Sequence, residues 1–260
     1  MKIFIINLES ARDKRQQMEQ QLSRAGIDDY ELIDAIYGKG LSADDISKSV
    51  YDYPACALTL GEIGCALSHL KVYSLMIEKN ISSAIILEDD VIIPEIFPQC
   101  LDTLKQSIEI DDTKVISLGR ANKLTLRKRY SSFADSSTEY GEYTAVTAFG
   151  TYAYAINLAA AKSLLENLLP IKYEADMFIH FRENGWLKTF NIIYPQLIRI
   201  IDNHEQFSDI YLERREFKKR RHDYKKRKLL KARPIGIRLR NRVRRLIWKI
   251  KQIKPQKRDN

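Results

Sequence analysis

Ala84-Ile85-Ile86-Leu87-Glu88-Asp89-Asp90-Val91 is the most informative stretch of the chain, because a wholly apolar run ends there in three consecutive carboxylates. A short apolar run of this kind is typical of a strand buried on both faces inside a parallel sheet. Ligands of open α/β sheets bind at the carboxyl ends of such strands. Adjacent acids repel one another unless a cation compensates them, and Mg²⁺ and Mn²⁺ prefer oxygen ligands. The stretch therefore predicts a metal-assisted phosphate site, with a solvated acidic turn as the alternative.

Strand patterns alternate with helix patterns along most of the chain. Four other apolar runs are predicted strands: Lys2–Leu8, Val115–Leu118, Tyr152–Ile156 and Phe190–Ile201, the last with an edge or bend at Pro195. The polar segment Arg120–Tyr143 is predicted to form a loop or a short hairpin. This alternation predicts an α/β fold with a largely parallel central sheet.

The helix predictions rest on capping residues and on apolar spacing. Ser10 predicts the start of the first helix, and Gly26 predicts its end. Thr59 and Glu62 have the spacing of a capping box, and the apolar pattern after them continues to Ile77. Two further helices are predicted: Leu158–Leu169, capped by Asn157 and ended by Pro170, and a short helix around Asp176–Glu183 that closes at Gly185.

The charge distribution divides the chain into an acidic body and a basic tail. The 260 residues carry 43 Lys and Arg against 34 acids, which gives a formal net charge of +9. From Arg214 to Asn260 there are 22 Lys and Arg against three acids, so this tail carries +19 and residues 1–213 carry −10. We therefore predict one large domain over residues 1–213 and a basic, partly amphipathic helical appendage over residues 214–260.

Cysteine content and hydropathy indicate the cellular compartment. The three cysteines, Cys56, Cys65 and Cys100, are odd in number and lack ligand-like spacing, which fits a reducing cytoplasm. Cys65 lies on a predicted helix face and is expected to be a small buried apolar residue. No apolar stretch is long enough to span a bilayer, and Met1–Leu8 is too short for a secretory signal. We therefore expect a cytoplasmic location.

Several separated segments of the body resemble one family. They are Ile6-Asn7-Leu8 with Arg15 downstream, Ile33-Asp34-Ala35, Leu60-Gly61-Glu62-Ile63-Gly64-Cys65-Ala66-Leu67-Ser68-His69 and Ile86-Leu87-Glu88-Asp89-Asp90-Val91. The segments Gly150–Ala161 and Glu174-Ala175-Asp176 fit more loosely. Taken together, over roughly residues 1–210, they resemble glycosyltransferase family 25, which includes bacterial lipooligosaccharide galactosyltransferases.

The resemblance implies a GT-A-like nucleotide-sugar transferase fold for the body and makes residues 1–213 the catalytic domain. The implied donor is a UDP-sugar, most often UDP-galactose, with glucosyl transfer as the alternative within the family. The implied acceptor is a sugar of lipid-linked lipooligosaccharide or lipopolysaccharide, and the transfer inverts the anomeric centre. The implied metal, Mn²⁺ or Mg²⁺, neutralises the diphosphate leaving group as a Lewis acid.

The three acids after the apolar run correspond to the acidic motif of the family. Residues two apart on an extended segment point the same way, so Glu88 and Asp90 share a face and Asp89 turns elsewhere. We expect Asp90 to bind the metal directly, and Glu88 to bind the metal through water or to contact a ribose hydroxyl. Asp89 is expected to lie near the nucleotide or to support the turn. His204 is, by analogy alone, a further metal ligand, with an exposed loop residue as the alternative.

Asp176 is the candidate general base. An inverting transfer needs one carboxylate to accept the proton of the acceptor hydroxyl, and a single displacement needs no protein nucleophile. The alternative is an acid in the first turn of a helix, where the helix dipole favours it. Glu174 and Asp202 are the substitutes for this role.

Three polar residues are candidates for contact with the nucleotide. Asn7 and Arg15, after the first strand, are expected to meet the uracil, ribose or phosphates, although Arg15 equally fits a solvated helix position. His69 is expected to reach the donor or acceptor, with a hydrogen-bonded core histidine as the alternative. Glu62 is either part of the site or only the reciprocal member of its capping box.

The tail has the pattern of an amphipathic helix. Its apolar positions at helical spacing are Leu239, Val243, Leu246, Ile247, Ile250 and Ile253, and its basic positions include Arg240, Arg242, Arg244, Arg245, Lys249 and Lys251. This pattern favours binding to the anionic inner face of the cytoplasmic membrane, where a lipid-linked acceptor is made. A helix docked on the body is one alternative. Nucleic acid is the other, disfavoured because stacking aromatics are not interleaved.

Two other functional classes remain open from the sequence. The same acids fit a metal-dependent phosphohydrolase or nucleotidyl enzyme with a nucleic-acid-binding tail. A non-enzymatic binding module dominated by the tail is the third hypothesis. Acceptor-dependent release of UDP distinguishes a transferase from both.

Overall fold

The computed structural model describes residues 1–134, 138–148, 150–201 and 209–251, and its core is an eight-stranded sheet. The strands are β1 Lys2–Asn7, β2 Tyr30–Asp34, β3 Ser83–Glu88, β4 Val91–Ile92, β5 Lys114–Ser117, β6 Ala121–Ala134, β7 Glu139–Ala148, β8 Ala153–Asn157, β9 Thr189–Tyr194 and β10 Arg199–Ile200. The helices are α1 Arg12–Arg24, α2 Ala43–Ser49, α3 Leu60–Glu78, α4 Phe97–Ile108, α5 Leu158–Leu168, α6 Phe178–Asn184, α7 Asp209–Tyr224 and α8 Ile235–Lys251.

The sheet has the order β2-β1-β3-β8-β5-β9-β7-β6, and β4 and β10 form a separate antiparallel pair. Strand β1 pairs parallel with β2 and β3, and β5 pairs parallel with β9. Strand β8 lies antiparallel between β3 and β5, and β7 lies antiparallel between β9 and β6. Six of the eight strands therefore point one way, which confirms the prediction of a largely parallel α/β sheet.

Both faces of the sheet are covered by helices, as the apolar run before Glu88 predicts. On one face Phe4 and Ile86 belong to a cluster with side chains of α3, α5 and α6. On the other face Ile85 and Leu87 belong to a cluster with side chains of α1 and α4. Consecutive strand residues point to opposite faces, so a strand buried on both sides must be apolar throughout.

Two of the three predicted N-terminal caps are confirmed. The Thr59–Glu62 capping box is complete: Glu62 N donates to Thr59 Oγ1 at 3.2 Å, and Thr59 N donates to Glu62 Oε2 at 2.9 Å. Asn157 accepts from the third residue of α5 at 2.9 Å. The Ser10 cap was wrong, because Ala11 N bonds to Leu8 O at 2.8 Å and that turn starts α1 one residue later, without a side-chain cap.

Two segments differ in detail from the prediction. Arg120–Tyr143, predicted as a loop or short hairpin, contains the long strand β6 and the first half of β7, which pair with several register shifts. The predicted late strand is divided at Pro195 into β9 and β10, as the proline indicates.

The tail consists of α7, a π-helical segment at Lys225–Leu230 and α8. Helix α7 runs across residue 213, where we predicted the domain boundary, and the division at that residue stays a prediction. Among the helices that the structure describes, none combines the length and apolarity needed to cross a bilayer.

Candidate active site

The carboxyl ends of the neighbouring strands β1 and β3 bring Asn7 next to the three acids Glu88, Asp89 and Asp90, which we call the strand-end acids. Asn7 Nδ2 donates to Asp89 Oδ2 at 2.7 Å and to a backbone carbonyl of the β1–α1 turn at 3.2 Å. Lys14 Nζ lies 3.4 Å from Asp89 Oδ1. Asp89 is therefore engaged by the body itself, and it fixes the turn between β1 and α1 against the end of β3.

Glu88 faces a different set of partners. Thr151 Oγ1 donates to Glu88 Oε1 at 2.5 Å, and His69 Nε2 lies 3.4 Å from the same oxygen. The other ring nitrogen of His69 lies 2.9 Å from the hydroxyl of Tyr154, which is 2.8 Å from the hydroxyl of Tyr73. His69 is thus a buried, hydrogen-bonded histidine that also contacts Glu88, and its contact with the donor or acceptor stays a prediction.

The environment moves the pKa values of two strand-end acids in opposite directions. For Glu88, burial acts to raise the pKa, but the hydrogen bond and charge of His69 and the bond from Thr151 outweigh it, and the pKa lies below its usual range. For Asp90, burial and the negative charge of Glu88 raise the pKa to about 7. A bound cation would favour the ionised form of both groups, so this pair fits a divalent metal.

Cys65 and His69 add a second possible set of metal ligands. Their ligand atoms and one of Glu88 lie within 4.8 Å of one another. The oxygens of Glu88 and Asp90 suit Mg²⁺ or Mn²⁺, whereas a thiolate–imidazole–carboxylate set is typical of Zn²⁺. The expectation that Cys65 is a buried apolar residue was wrong, because it is half-buried and faces the site. The four-residue spacing of Cys65 and His69 on one helix face was the signal missed.

Several residues in the segment of α3 that carries the family resemblance have a structural role. A Cβ at Gly64 would lie 2.5 Å from Ile36 O, and a Cβ at Gly38 would lie 1.8 Å from Leu60 O. Ser68 Oγ accepts from Ile36 N at 2.8 Å. The glycines therefore allow direct backbone contact between α3 and residues 36–38, and the serine fixes it.

Asp176 and Glu88 each accept a hydrogen bond from one of two consecutive residues. Gly150 N donates to Asp176 Oδ2 at 3.3 Å, and Thr151, the next residue, donates to Glu88. Asp176 is buried and precedes α6, whose N-cap is Met177. The alternative reading as an acid in the first helical turn is therefore not what the structure shows.

The remaining predicted residues lie elsewhere. Arg15 Nε donates to Glu19 at 3.2 Å on the exposed surface of α1, so the structure does not bring Arg15 to the strand-end acids. Glu174 is held by Lys225 at 2.8 Å and by Arg221, which excludes it as a substitute base. His204 and the other substitute, Asp202, lie outside the described residues.

Arg221 attaches the first tail helix to the body. Its Nη1 donates to Glu62 Oε1 at 2.5 Å, and its Nε and Nη2 donate to Ala57 O at 3.0 and 2.8 Å. Glu62 therefore has two roles, in the capping box and in this buried ion pair. We call Glu62, Glu174 and Glu183 the docking acids, because each binds cations of the tail.

Glu183 holds the last tail helix. Arg233 Nη1 donates to its Oε2 at 2.7 Å, Arg245 Nη2 donates to its Oε1 at 2.5 Å, and Asn241 Nδ2 donates to its backbone carbonyl at 3.0 Å. Burial acts to raise the pKa of Glu183, but the bond to His180 and the two arginines hold it far below its usual range. The tail helix docked on the body, one alternative from the sequence, is therefore present.

Helix α8 docks with its polar face inward and leaves its apolar face outward. The exposed apolar residues, with relative accessibilities of 43% to 74%, are Ile235, Leu239, Val243, Leu246, Ile247 and Ile250. Trp248 lies on the inward side, and its ring centroid is 4.3 Å from the guanidinium carbon of the buried Arg182. This orientation reverses the usual arrangement, in which the apolar stripe of a docked helix faces the core.

A cavity of about 360 Å³ lies between β7, α6 and α8, and we call it the tail groove. Asp176 lines it, so the groove reaches the candidate base. Its other lining residues include Lys123, Glu183, Arg245, Trp248 and Lys249.

Comparison with known sequences finds related proteins over most of the chain. Residues 1–179 match the family model described as glycosyltransferase family 25 (LPS biosynthesis protein). Procollagen galactosyltransferase 1-A of Xenopus laevis is 30% identical over 222 residues, which cover 74% of this chain and 35% of that protein. The glycosyltransferase 25 family member of Aedes aegypti is 30% identical over 206 residues, with coverages of 72% and 32%. The chain thus spans about a third of the length of the curated relatives that it matches.

Solved structures give only distant likenesses. A putative glucose-1-phosphate thymidylyltransferase from Bacillus anthracis has a TM-score of 0.39 at 13% identity, over 82% of this chain and 94% of its own. A glycosyltransferase involved in glycosylation of the major capsid of PBCV-1 has a TM-score of 0.37 at 11% identity, over 79% and 96%. These values are too low to carry an argument about this chain.

Proposed function

Because the chain belongs to glycosyltransferase family 25, we propose that it transfers a galactosyl group from UDP-galactose to a sugar of a lipid-linked oligosaccharide. The observation that carries the proposal is the placement of Glu88 and Asp176 on either side of Gly150-Thr151, with Asp90 beside them. Several relatives are named procollagen galactosyltransferases, and these names support galactose over glucose as the transferred sugar.

Asp90 and Glu88 are the residues that would hold the divalent cation, with Mn²⁺ and Mg²⁺ both compatible with their oxygens. When bound, the metal supplies Lewis-acid stabilisation of the diphosphate leaving group. Thr151 and His69 orient the Glu88 carboxylate, and Asn7 and Lys14 fix the neighbouring Asp89. Asp89 and Asn7 therefore support the nucleotide side of the site through its architecture.

Asp176 is proposed as the general base of an inverting transfer. The acceptor hydroxyl oxygen forms a bond to the anomeric carbon while the bond from that carbon to the diphosphate breaks and UDP leaves. The hydroxyl proton passes to the Asp176 carboxylate, so the step needs no covalent protein intermediate. The hydrogen bond from Gly150 N supports this role because it fixes the orientation of the carboxyl group.

Incubation with Mn²⁺ and UDP-sugars tests the proposal. We expect release of UDP from UDP-galactose only when a saccharide acceptor is present. UDP-glucose is the donor for comparison, because glucosyl transfer is the alternative within the family. Acceptor-independent release of phosphate would instead indicate a phosphohydrolase or nucleotidyl enzyme. A procollagen peptide serves as the second acceptor class, because several relatives are named procollagen galactosyltransferases. Transfer to that peptide and to no saccharide would overturn the proposal that the acceptor is a saccharide.

Association with an anionic membrane is the second part of the proposal, and the outward apolar face of α8 favours it. Six apolar side chains are exposed on that face, and the tail that carries it has a net charge of +19. An apolar face flanked by basic residues binds the boundary of an anionic bilayer through both effects. The proposed location is the inner face of the cytoplasmic membrane.

Sedimentation with liposomes tests this location. We expect binding to vesicles containing phosphatidylglycerol, weakened by salt, and lost in Ile250→Asp. The control is Ile110→Asp, an equally apolar exposed residue at the end of α4. Binding that survives Ile250→Asp, or that is replaced by preference for duplex RNA or DNA, would contradict the proposal.

A further inference from the structure

Helix α8 is part of the wall of the tail groove, although it lies outside the residues that match the family model. Arg245, Trp248 and Lys249 contribute to one side, and Asp176 lies on the other. The matched segment ends at residue 179, so the family comparison assigns no role to this helix. The volume of about 360 Å³ lies within the range of small-ligand sites, which is roughly 300 to 1,000 Å³.

Arg182 packs against the ring of Trp248 and supports its position. Arg182 lies 4.3 Å from its ring centroid, and Arg182 Nη1 donates to Ala145 O at 2.7 Å and to Phe190 O at 3.1 Å. An arginine anchored to two strands therefore supports an indole that lines the groove. Aromatic side chains with a few convergent polar groups are the usual lining of sites for compact organic ligands, and a half-buried indole presents a flat apolar surface to them.

The tail groove is lined by both acidic and basic side chains, and two of its basic side chains are exposed. Glu183 is already bound by Arg233 and Arg245, which leaves Asp176 as the other acid of the wall. Lys123 and Lys249 are both exposed, and both line the groove. A ligand that carries a negative group is therefore favoured at this end, beside the candidate base.

We propose that the tail groove binds the acceptor, as a saccharide that carries an anionic substituent such as phosphate or carboxylate, and that α8 supplies half of this site. Trp248 packs against the sugar ring, Lys249 and Lys123 bind the anionic group, and an acceptor hydroxyl faces Asp176. The identification of the bound saccharide as the acceptor rests on the proposed function. The binding itself does not depend on turnover.

Tryptophan fluorescence tests the inference directly. The chain has two tryptophans, so Trp186→Phe leaves Trp248 as the sole indole reporter. Titration of this variant with glucose 6-phosphate, glucose and inorganic phosphate separates the ring from the anion. We expect glucose 6-phosphate to bind at least tenfold more tightly than either of the others.

Charge reversals on α8 provide the matched variants. In the Trp186→Phe background, Lys249→Glu is expected to raise the Kd for glucose 6-phosphate at least tenfold. Arg238→Glu, with the same charge change on the same helix about three turns away, is expected to change it less than twofold. Equal affinities for the three probes, or equal effects of the two reversals, would overturn the inference.

The two proposals fail in distinguishable ways. Tight binding of glucose 6-phosphate at Trp248 without any UDP release from UDP-galactose would leave the groove assignment intact and reject galactosyl transfer. Galactosyl transfer to saccharides without any Trp248 signal, or without a preference for the anionic probe, would keep the transfer and reject this acceptor site.

Discussion

The strand-end acids and the docking acids are two carboxylate clusters in one chain with opposite charge compensation. Arginine and lysine from the tail neutralise Glu62, Glu174 and Glu183, and the pKa values of Glu174 and Glu183 lie below the usual range. At the strand end, the pKa of Asp90 is instead raised to about 7. Carboxylates neutralised by cations of the tail hold the structure together, whereas a carboxyl group with a raised pKa, such as Asp90, is suited to receive a cation.

The largest effect is expected from removing the proposed metal carboxylate. Asp90→Ala should lower metal-dependent transfer by about three orders of magnitude or more, because Lewis-acid stabilisation contributes several kcal/mol. Steady-state rates measure this, and circular dichroism verifies the fold. Asp102→Asn, an exposed acid on α4, is the control. Activity near the wild-type level in Asp90→Ala would remove the distinction between the clusters.

Asp176 tests the role of a buried carboxylate that belongs to neither set of acids. Asp176→Asn should lower kcat by about 10²- to 10⁴-fold and leave the Kd for UDP-galactose unchanged, since only proton transfer is lost. Glu174→Gln, two residues away, should instead lower the unfolding free energy and leave kcat nearly unchanged. A small rate effect in Asp176→Asn would point to a base outside the described residues, such as Asp202.

Arg221 tests the compensated cluster. Arg221→Ala should lower the free energy of unfolding by about 3–5 kcal/mol. The reason is that Glu62 and Glu174 stay buried but lose the cation that pairs with them. Urea denaturation measures this, and Arg220→Ala, exposed one residue earlier, should change it by less than about 0.5 kcal/mol. Equal stabilities of the two variants would show that the tail is not held through this pair.

The smallest expected effect is a pH dependence of opposite sign in the two clusters. In a chelator, the folded state binds a proton at Asp90 as the pH falls through about 7, and the unfolded chain does not until near 4. Stability should therefore rise on acidification from pH 7 to 6, by at most about 1.4 kcal/mol. Glu174, with its lowered pKa, contributes stability that is lost only below about pH 4.5.

Comparison with Asp90→Asn isolates the contribution of the Asp90 carboxyl group from the contributions of all other titrating groups. The variant should lack the increment between pH 7 and 6. A gain in stability of the same size in both proteins would assign the gain to another group. A fall in the stability of the wild type relative to the variant would contradict the predicted direction of the pH dependence.

Sequence patterns predicted the features that depend on local chemistry. The Thr59–Glu62 capping box, the Asn157 cap and the end of α6 at Gly185 all involve residues within a few positions of one another. The strand before Glu88 was recognisable because burial on both faces demands an unbroken apolar run. Asp176 was found only through the resemblance, since nothing local marks a base.

Features that depend on distant pairs were not predictable in the same way. Arg221 meets Glu62 across 159 positions, so no local pattern links them. The antiparallel insertion of β8 between β3 and β5 is also non-local, because strand direction is set by connections and not by composition. The outward apolar face of α8 reverses a rule that is usually reliable, and the ion pairs that hold the tail to Glu183 join residues 50 or more positions apart, which no local pattern links.

The contact of Gly38 and Gly64 makes the segment at residues 36–38 and helix α3 one mechanical unit. Side chains can rotate away from a collision, but here backbone faces backbone, where even one methyl group would lie 1.8 Å from a carbonyl oxygen. The same helix carries His69, whose Nε2 lies 3.4 Å from Glu88 Oε1. Helix α3 therefore connects the backbone of residues 36–38 directly to the strand-end acids.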